Sequence, residues 1–451
     1  MSNVAILKAE SMKTLTILAS ETGARLDSDV RRGGGSDDTR FLQQALDRAG
    51  EDQPLELVMD GAALIRGLRL HSNTTIRCLN RACGFYLADG ANEPVVRNAT
   101  YTTGEIVEHD IVLLGGTYNG NCPHQEHSQP DHTPLTGMCF LGVRDLVIRD
   151  VAMLNARTYG ILLANWYRVD LQDILIETES YMMFQNQDGI HVNGPGRFLT
   201  ARNIQGGSED DFFAINADDG ARGKMSEFHD EGPWIHEGDI TDVYVDGLIW
   251  HDSIQGVRML SREARIDRVV IRNVVGVNSD FGFLIETFDH CARERGKGNY
   301  GHVLIENVDI RQPAPRKRKY GYRMMTVSAC FESLELRNVH LHNATDDRPL
   351  IEIRKPSNIR QLSVNGISVY QGAADGGPRQ DVIVVDGHVA ALSIRGVDIF
   401  EEGPNEGAFL HLREGATVDR LFLDSCNLPE GKQLLAVAPG ATVGKMQSYS
   451  N

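Results

Sequence analysis

A short phrase recurs ten times between residues 146 and 426, and that recurrence leaves few folds open to the chain. The phrase reads apolar, any, apolar, any, then Asn, Asp, Gly or Ser, then apolar. Its copies are 146–151, 169–174, 199–204 (the weakest), 243–248, 269–274, 303–308, 334–339, 362–367, 392–397 and 421–426. Alternating apolar side chains make a strand with one buried face. The fifth residue then bends the chain, because Asn, Asp and Gly tolerate left-handed backbone. These corner residues are Asp150, Asp173, Asn203, Gly247, Asn273, Asn307, Asn338, Gly366, Gly396 and Ser425, spaced 23 to 44 residues apart and mostly near 30. No single copy can bury its apolar face. Stacked copies bury a continuous core and satisfy one another's backbone groups. A period of this length with neither helical spacing nor a leucine-rich LxxLxL pattern, and too short for a propeller blade, describes a coil of short strands: a β-solenoid.

The opening residues differ. Ser36-Asp37-Asp38-Thr39 precedes Phe41, Leu42, Ala45, Leu46 and Ala49, which predicts an N-capped amphipathic helix closing at Gly50. Its expected role is to cover the open first coil, since a bare solenoid end invites edge-to-edge association. The expected division is an N-terminal strand and capping helix over 1–50 and the coil over 51–451, together one domain.

Composition narrows the function. The formal net charge of -17 argues against a nucleic-acid binder and against docking on anionic membranes. One basic run, Arg316 to Lys319, interrupts the acidic background; it reads as a solvated loop or as a clamp for an acidic sugar. The seven cysteines are sparse, odd in number and without metal-type CxxC spacing, so they are expected to be reduced and mostly buried. No segment has the length and apolarity of a signal peptide or a membrane span. A cytoplasmic location is the expectation, or a secreted one if a leader has been trimmed. Monomer and trimer are both open.

One stretch carries chemistry as well as packing. Asn186-Gln187-Asp188-Gly189 is followed by Glu209-Asp210-Asp211-Phe212. Asp188 and Asp211 are 23 residues apart, the same as the shortest corner spacing. They are therefore predicted on adjacent coils, about 4.8 Å apart along the stack, with Asp210 beside them. Three crowded carboxyls repel, so at least one should hold its proton to higher pH. A protonated carboxyl beside an ionised one is what general acid and base catalysis needs. The plainer reading is a set of ordinary corner aspartates. With Ile190, Phe213, Val257 and Phe283 pointing inward, His191, Ala214, Arg258 and Leu284 form one outward row. Asn193, Asn216, Leu260 and Glu286 form the next. His191, Arg258 and Glu286 thus become candidate substrate-binding residues, with Asn186, Asn216 and Gln255 beside the aspartates.

These segments resemble the polygalacturonase family of glycoside hydrolases, family 28. That family carries Asn-Thr-Asp-Gly, then Gly-Asp-Asp-Cys one coil later, then Gly-His-Gly, then Arg-Ile-Lys. Asn186-Gln187-Asp188-Gly189 matches the first with one change, and Asp210-Asp211 matches the second at its aspartates. Thr22-Gly-Ala, Asp37-Asp38-Thr39 and Leu70-His-Ser-Asn-Thr-Thr also look like this superfamily. The resemblance implies a right-handed parallel β-helix of roughly ten coils. It implies Asp210 as the general acid, Asp188 and Asp211 activating water, no cofactor or metal, and inversion at the anomeric centre, with acid and base about 6.5 to 9.5 Å apart. The later motifs depart: Gln255 falls where the family has histidine, and Leu284 and Glu286 fall where it has the arginine and lysine that hold a galacturonate carboxylate. A differently decorated or neutral sugar is therefore also open.

Two loops stand near this region. Residues 217–238 follow the aspartate pair and are expected to wall one end of a groove, with Phe228 and Trp234 available to stack on a sugar and His229 and His236 within reach of it. Residues 118–134 carry His124, His127 and His132, whose spacing fits no standard zinc pattern. The leading expectation is a glycoside hydrolase acting on a pectic or other uronate-containing polymer. The alternatives are a lyase, with calcium on the aspartates and Arg258 as base, and a non-catalytic carbohydrate-binding solenoid.

Overall fold

The computed structural model describes residues 13–100, 105–126, 136–178, 187–218, 237–277, 280–287, 298–311, 323–342, 348–371, 381–401 and 407–449. Nearly every element among them is a strand, paired parallel with the strand one turn earlier and one turn later. The chain is a right-handed parallel β-helix.

The recurring phrase builds one long stack of strands. Its first residue pairs from rung to rung without a slip: Leu146 with Val169, then Leu199, Val243, Val269, Val303, Leu334, Leu362, Leu392 and Leu421. All ten predicted corner residues have left-handed backbone, with φ between 51° and 85°. Several corner side chains also bond along the axis. The Asn203 amide donates to Asp173 at 2.9 Å, Asn307 to Asn273 at 3.0 Å and Asn338 to Asn307 at 3.1 Å. Asparagine thus serves the corner twice, by tolerating αL backbone and by donating to the rung beneath. The stack is longer than the phrase. Leu15–Leu18, Leu55–Met59, Thr74–Cys78 and Glu108–Leu114 precede it, and Thr442–Tyr449 follows.

Inward residues form one continuous core of Leu, Ile, Val and Phe, each worth about 1.5–3 kcal/mol on burial. Cys78, Cys83, Cys122 and Cys139 are buried as expected. The predicted helix is Thr39–Leu46, with Leu42 and Leu46 fully buried; it ends at Asp47, short of Gly50. Asp38 takes the N-cap position without a side-chain capping bond. Asp37 accepts the Thr39 N–H at 3.0 Å, while buried Asp38 accepts the N–H groups of Arg25 and Leu26. No helix among the described residues is long and apolar enough to cross a membrane.

A second stack carries the chemistry. It runs through Ile190–Asn193, Asp211–Asp218, Gln255–Ser261, Phe281–Glu286, Arg323–Ser328, Ile351–Ile353, Ile383–Val385, Ala408–Leu412 and Gln433–Val437. Its register is the predicted one. Ile190 pairs with Phe213, Val257 and Phe283; His191 with Ala214, Arg258 and Leu284; and Asn193 with Asn216, Leu260 and Glu286.

Candidate active site

Phe212 and Phe213 are consecutive yet both fully buried in the core. Alternation is therefore broken at this point, and the chain enters the Asp211–Asp218 strand around a bend. Phe212 packs against Trp250, itself buried, with ring centroids 5.9 Å apart. Gly256 and Gly276 make room for that indole, since a Cβ on either would approach it to 2.2 Å. This apolar anchor fixes the bend that turns Asp210 and Asp211 to the outer side.

There they meet Asp188 of the preceding rung. The Asp211 N–H donates to Asp188 Oδ1 at 3.2 Å, and the Gly189 N–H to the Asp211 carbonyl at 2.8 Å. One carboxylate oxygen from each of Asp188, Asp210 and Asp211 lies within 4.8 Å of the others. Asp188 and Asp211 are buried, and Asp210 is part-exposed. The predicted convergence of the three is present. Their nearest oxygens are closer than the 6.5 to 9.5 Å that the resemblance implied for an inverting pair.

The surrounding residues hold the trio. His191 Nδ1 sits 2.5 Å from Asp188 Oδ2, and its ring stacks on Tyr159 with centroids 3.9 Å apart. Asn216 Nδ2 lies 2.9 Å from His191 Nε2. His191 and Asn216, expected to touch substrate, are both buried and form a chain of contacts leading to Asp188. Gln255 Nε2 donates to Asp210 Oδ1 at 3.2 Å. Arg258 donates from Nη2 to Glu286 Oε1 at 2.8 Å and lies 3.9 Å from Asp211 Oδ2. Asn186, residues 219–236 with Phe228, His229, Trp234 and His236, Arg316 to Lys319, and His127 and His132 lie outside the described residues.

Burial pushes the Asp188 carboxyl well above the usual carboxylate range, and the charge of Asp210 adds to it; the Asp211 N–H and Arg258 pull the other way. Asp211 is likewise raised by burial, then by Asp188 and Asp210, against the pull of Arg258. Burial disfavours the Arg258 cation, but Asp211, Glu286, Asp210 and Asp188 outweigh it and hold the guanidinium charged. Asp188 and Asp211 therefore both release their protons less readily than ordinary carboxyls, although each also has a partner that favours its ionised form. Three carboxylates of this spacing could also ligate a hard cation, although the guanidinium beside Asp211 competes for the same oxygens.

Sequence reasoning did not find Tyr159, whose only signal was its place two residues before the Ile161–Glu177 strand. It also missed Arg323, Glu352, Arg354 and Arg413, which projection of the outward rows beyond Glu286 would have reached.

No protein-family model matches the chain, and no curated protein matches it. Solved structures do. The family 28 exopolygalacturonase of Yersinia enterocolitica superposes with a TM-score of 0.58 at 14% identity, covering 90% of this chain and 78% of that one. The likeness is one of fold. A hyperthermoactive exopolygalacturonase from Thermotoga maritima gives 0.56 at 14% identity over 85% of this chain and 91% of its own. A tailspike protein mutant of E. coli bacteriophage HK620, in complex with a pentasaccharide, gives 0.58 at 12% over 91% and 77%. The exopolygalacturonases share the β-helix architecture on which the aspartate cluster is built here.

Proposed function

We propose that the chain is a glycoside hydrolase that cuts a uronate-containing poly- or oligosaccharide at the Asp188, Asp210 and Asp211 cluster. The observation that carries this reading is the convergence of three carboxyls from two rungs, two of them buried, on the outward face of the solenoid. Asp210, the part-exposed member, is the acid that protonates the leaving oxygen. Asp188 and Asp211 activate the attacking water. The two hydrogen bonds on Asp188 and Arg258 beside Asp211 oppose the upward pull of burial and give each carboxyl a partner once it ionises. The resemblance to family 28 implies inversion, and a cluster whose nearest oxygens lie within 4.8 Å leaves retention as the second outcome. The anomer of the first-formed product, read by proton NMR, separates the two outcomes.

A lyase would need Arg258 to act as a base. Its burial among carboxylates holds it charged, which disfavours that role. The deciding experiment is a screen of pectic and other acidic oligosaccharides with products read by mass. A gain of one water per cut, lost in Asp210→Asn, supports hydrolysis. Products absorbing in the ultraviolet would mean elimination. Normal binding with no turnover on any substrate would leave a carbohydrate-binding solenoid.

A further inference from the structure

The outward rows that hold the aspartates do not stop at Glu286. The row of Asp211, Gln255 and Phe281 continues to Arg323, and the row of Ala214, Arg258, Leu284 and Thr326 continues to Glu352. Arg354 and Arg413 each follow directly on a strand of the same stack, with their N–H groups on the Val327 and Val385 carbonyls. These side chains converge. Arg323 Nε lies 2.9 Å from Glu352 Oε2, Arg354 Nη2 lies 2.8 Å from the same oxygen, and Arg413 Nη1 lies 3.6 Å from Oε1 and 3.3 Å from Asp386 Oδ2.

Arg323 and Glu352 are buried, whereas the Arg354 and Arg413 side chains are 37% and 41% exposed. Three guanidiniums around one buried carboxylate supply more N–H donors, five each, than that carboxylate can accept. The surplus falls on the two exposed arginines. A guanidinium matches a carboxylate in planar, two-point fashion. Here three guanidiniums share two carboxylates, those of Glu352 and Asp386. The group spans the third to the sixth rung beyond the Asp211 rung, roughly 14–29 Å along the axis at the rung spacing of a β-sheet.

We propose that Arg354 and Arg413, braced by Arg323 and Glu352, form a distal subsite that binds the carboxylate of an acidic sugar several units from the bond that is cut. The proposal rests on the glycosidase reading of the aspartate cluster. It gives the chain a carboxylate clamp at a distance from the positions where Leu284 and Glu286 offer none.

The test uses full-length Asp210→Asn protein, which binds without cutting, and calorimetry with a galacturonate dimer, a galacturonate heptamer and a carboxyl-reduced heptamer. Adding Arg354→Gln and Arg413→Gln should weaken the heptamer about tenfold, the scale of a lost charged hydrogen bond, and leave the other two ligands unchanged. Arg354→Lys with Arg413→Lys keeps the charges and the brace; it should fold with an unchanged melting curve and fall between. Heptamer affinity indifferent to the Gln pair in a folded protein, or no binding of any acidic oligosaccharide, overturns the subsite. If native enzyme cuts acidic oligosaccharides and the arginines prove indifferent, the hydrolase reading survives alone. If heptamer binding needs the arginines but native enzyme cuts nothing, the subsite survives alone.

Discussion

Replacing Arg258 with methionine should destabilise the protein by about 3–5 kcal/mol at pH 8, and far less near pH 4. The guanidinium lies 2.8 Å from Glu286 and 3.9 Å from Asp211. At an effective dielectric of 20 those contacts correspond to a gross attraction of about 6 and about 4 kcal/mol. Desolvation of the buried ions cancels much of it. The useful figure is the cost of removing one partner and leaving the others charged, about 3–5 kcal/mol. The sign of the pH dependence follows from the aspartates. Asp188 and Asp211 bind protons in the folded state well above the pH at which an unfolded aspartate does. Stability from those protons is complete below the unfolded carboxylate pKa and is lost as pH rises through the raised values. Removing the nearby cation pushes those values higher and enlarges the loss. At low pH the carboxyls are neutral and need no cation. Urea unfolding at the two pH values, compared with wild type, measures the difference, and Arg258→Lys should lie between. An equal loss at both pH values, or none at either, would refute the view that Arg258 is there to neutralise the cluster.

Three further outcomes follow from the geometry. Asp210→Asn should lower turnover about 10²–10⁴-fold, the usual worth of a general acid, in a protein that still folds. His191→Phe keeps an aromatic face for Tyr159 but removes the donor 2.5 Å from Asp188. Asp188 should then hold its proton to higher pH, so the acid limb of the pH–rate profile moves upward while KM stays near that of wild type. Asn307→Ala should cost about 2 kcal/mol in urea unfolding, from αL strain at φ 55° and the lost amide bond to Asn273; Asn307→Gly should cost less.

The solenoid was legible because its phrase encodes both strand and corner. Each of the ten corner residues was named from the sequence, and each has the expected backbone. Rows of the second stack were legible for a related reason: once Asp188 is set above Asp211, a period of two places His191, Arg258 and Glu286. Direction of burial was not legible. A period says which side chains point outward, but not what covers them, so the stacking of Tyr159 on His191 and the contact with Asn216 could not be read. The rungs below residue 146 were also hidden, because Leu15–Leu18, Leu55–Met59 and Thr74–Cys78 lack the full phrase and are recognised only by pairing. Arg323 and Glu352 were missed because their short strands hold two inward residues or so, too few for a pattern.

The unbroken pairing from Leu146 to Leu421 has a consequence for selection of chain length. Every rung adds the same increment, so the face bearing Asp211 and Glu352 is graduated like a ruler. On the proposed reading, a polymer lying along it would be measured in whole divisions. Moving one outward cation to the next division would alter which length is favoured while leaving the inward contacts of every rung as they are.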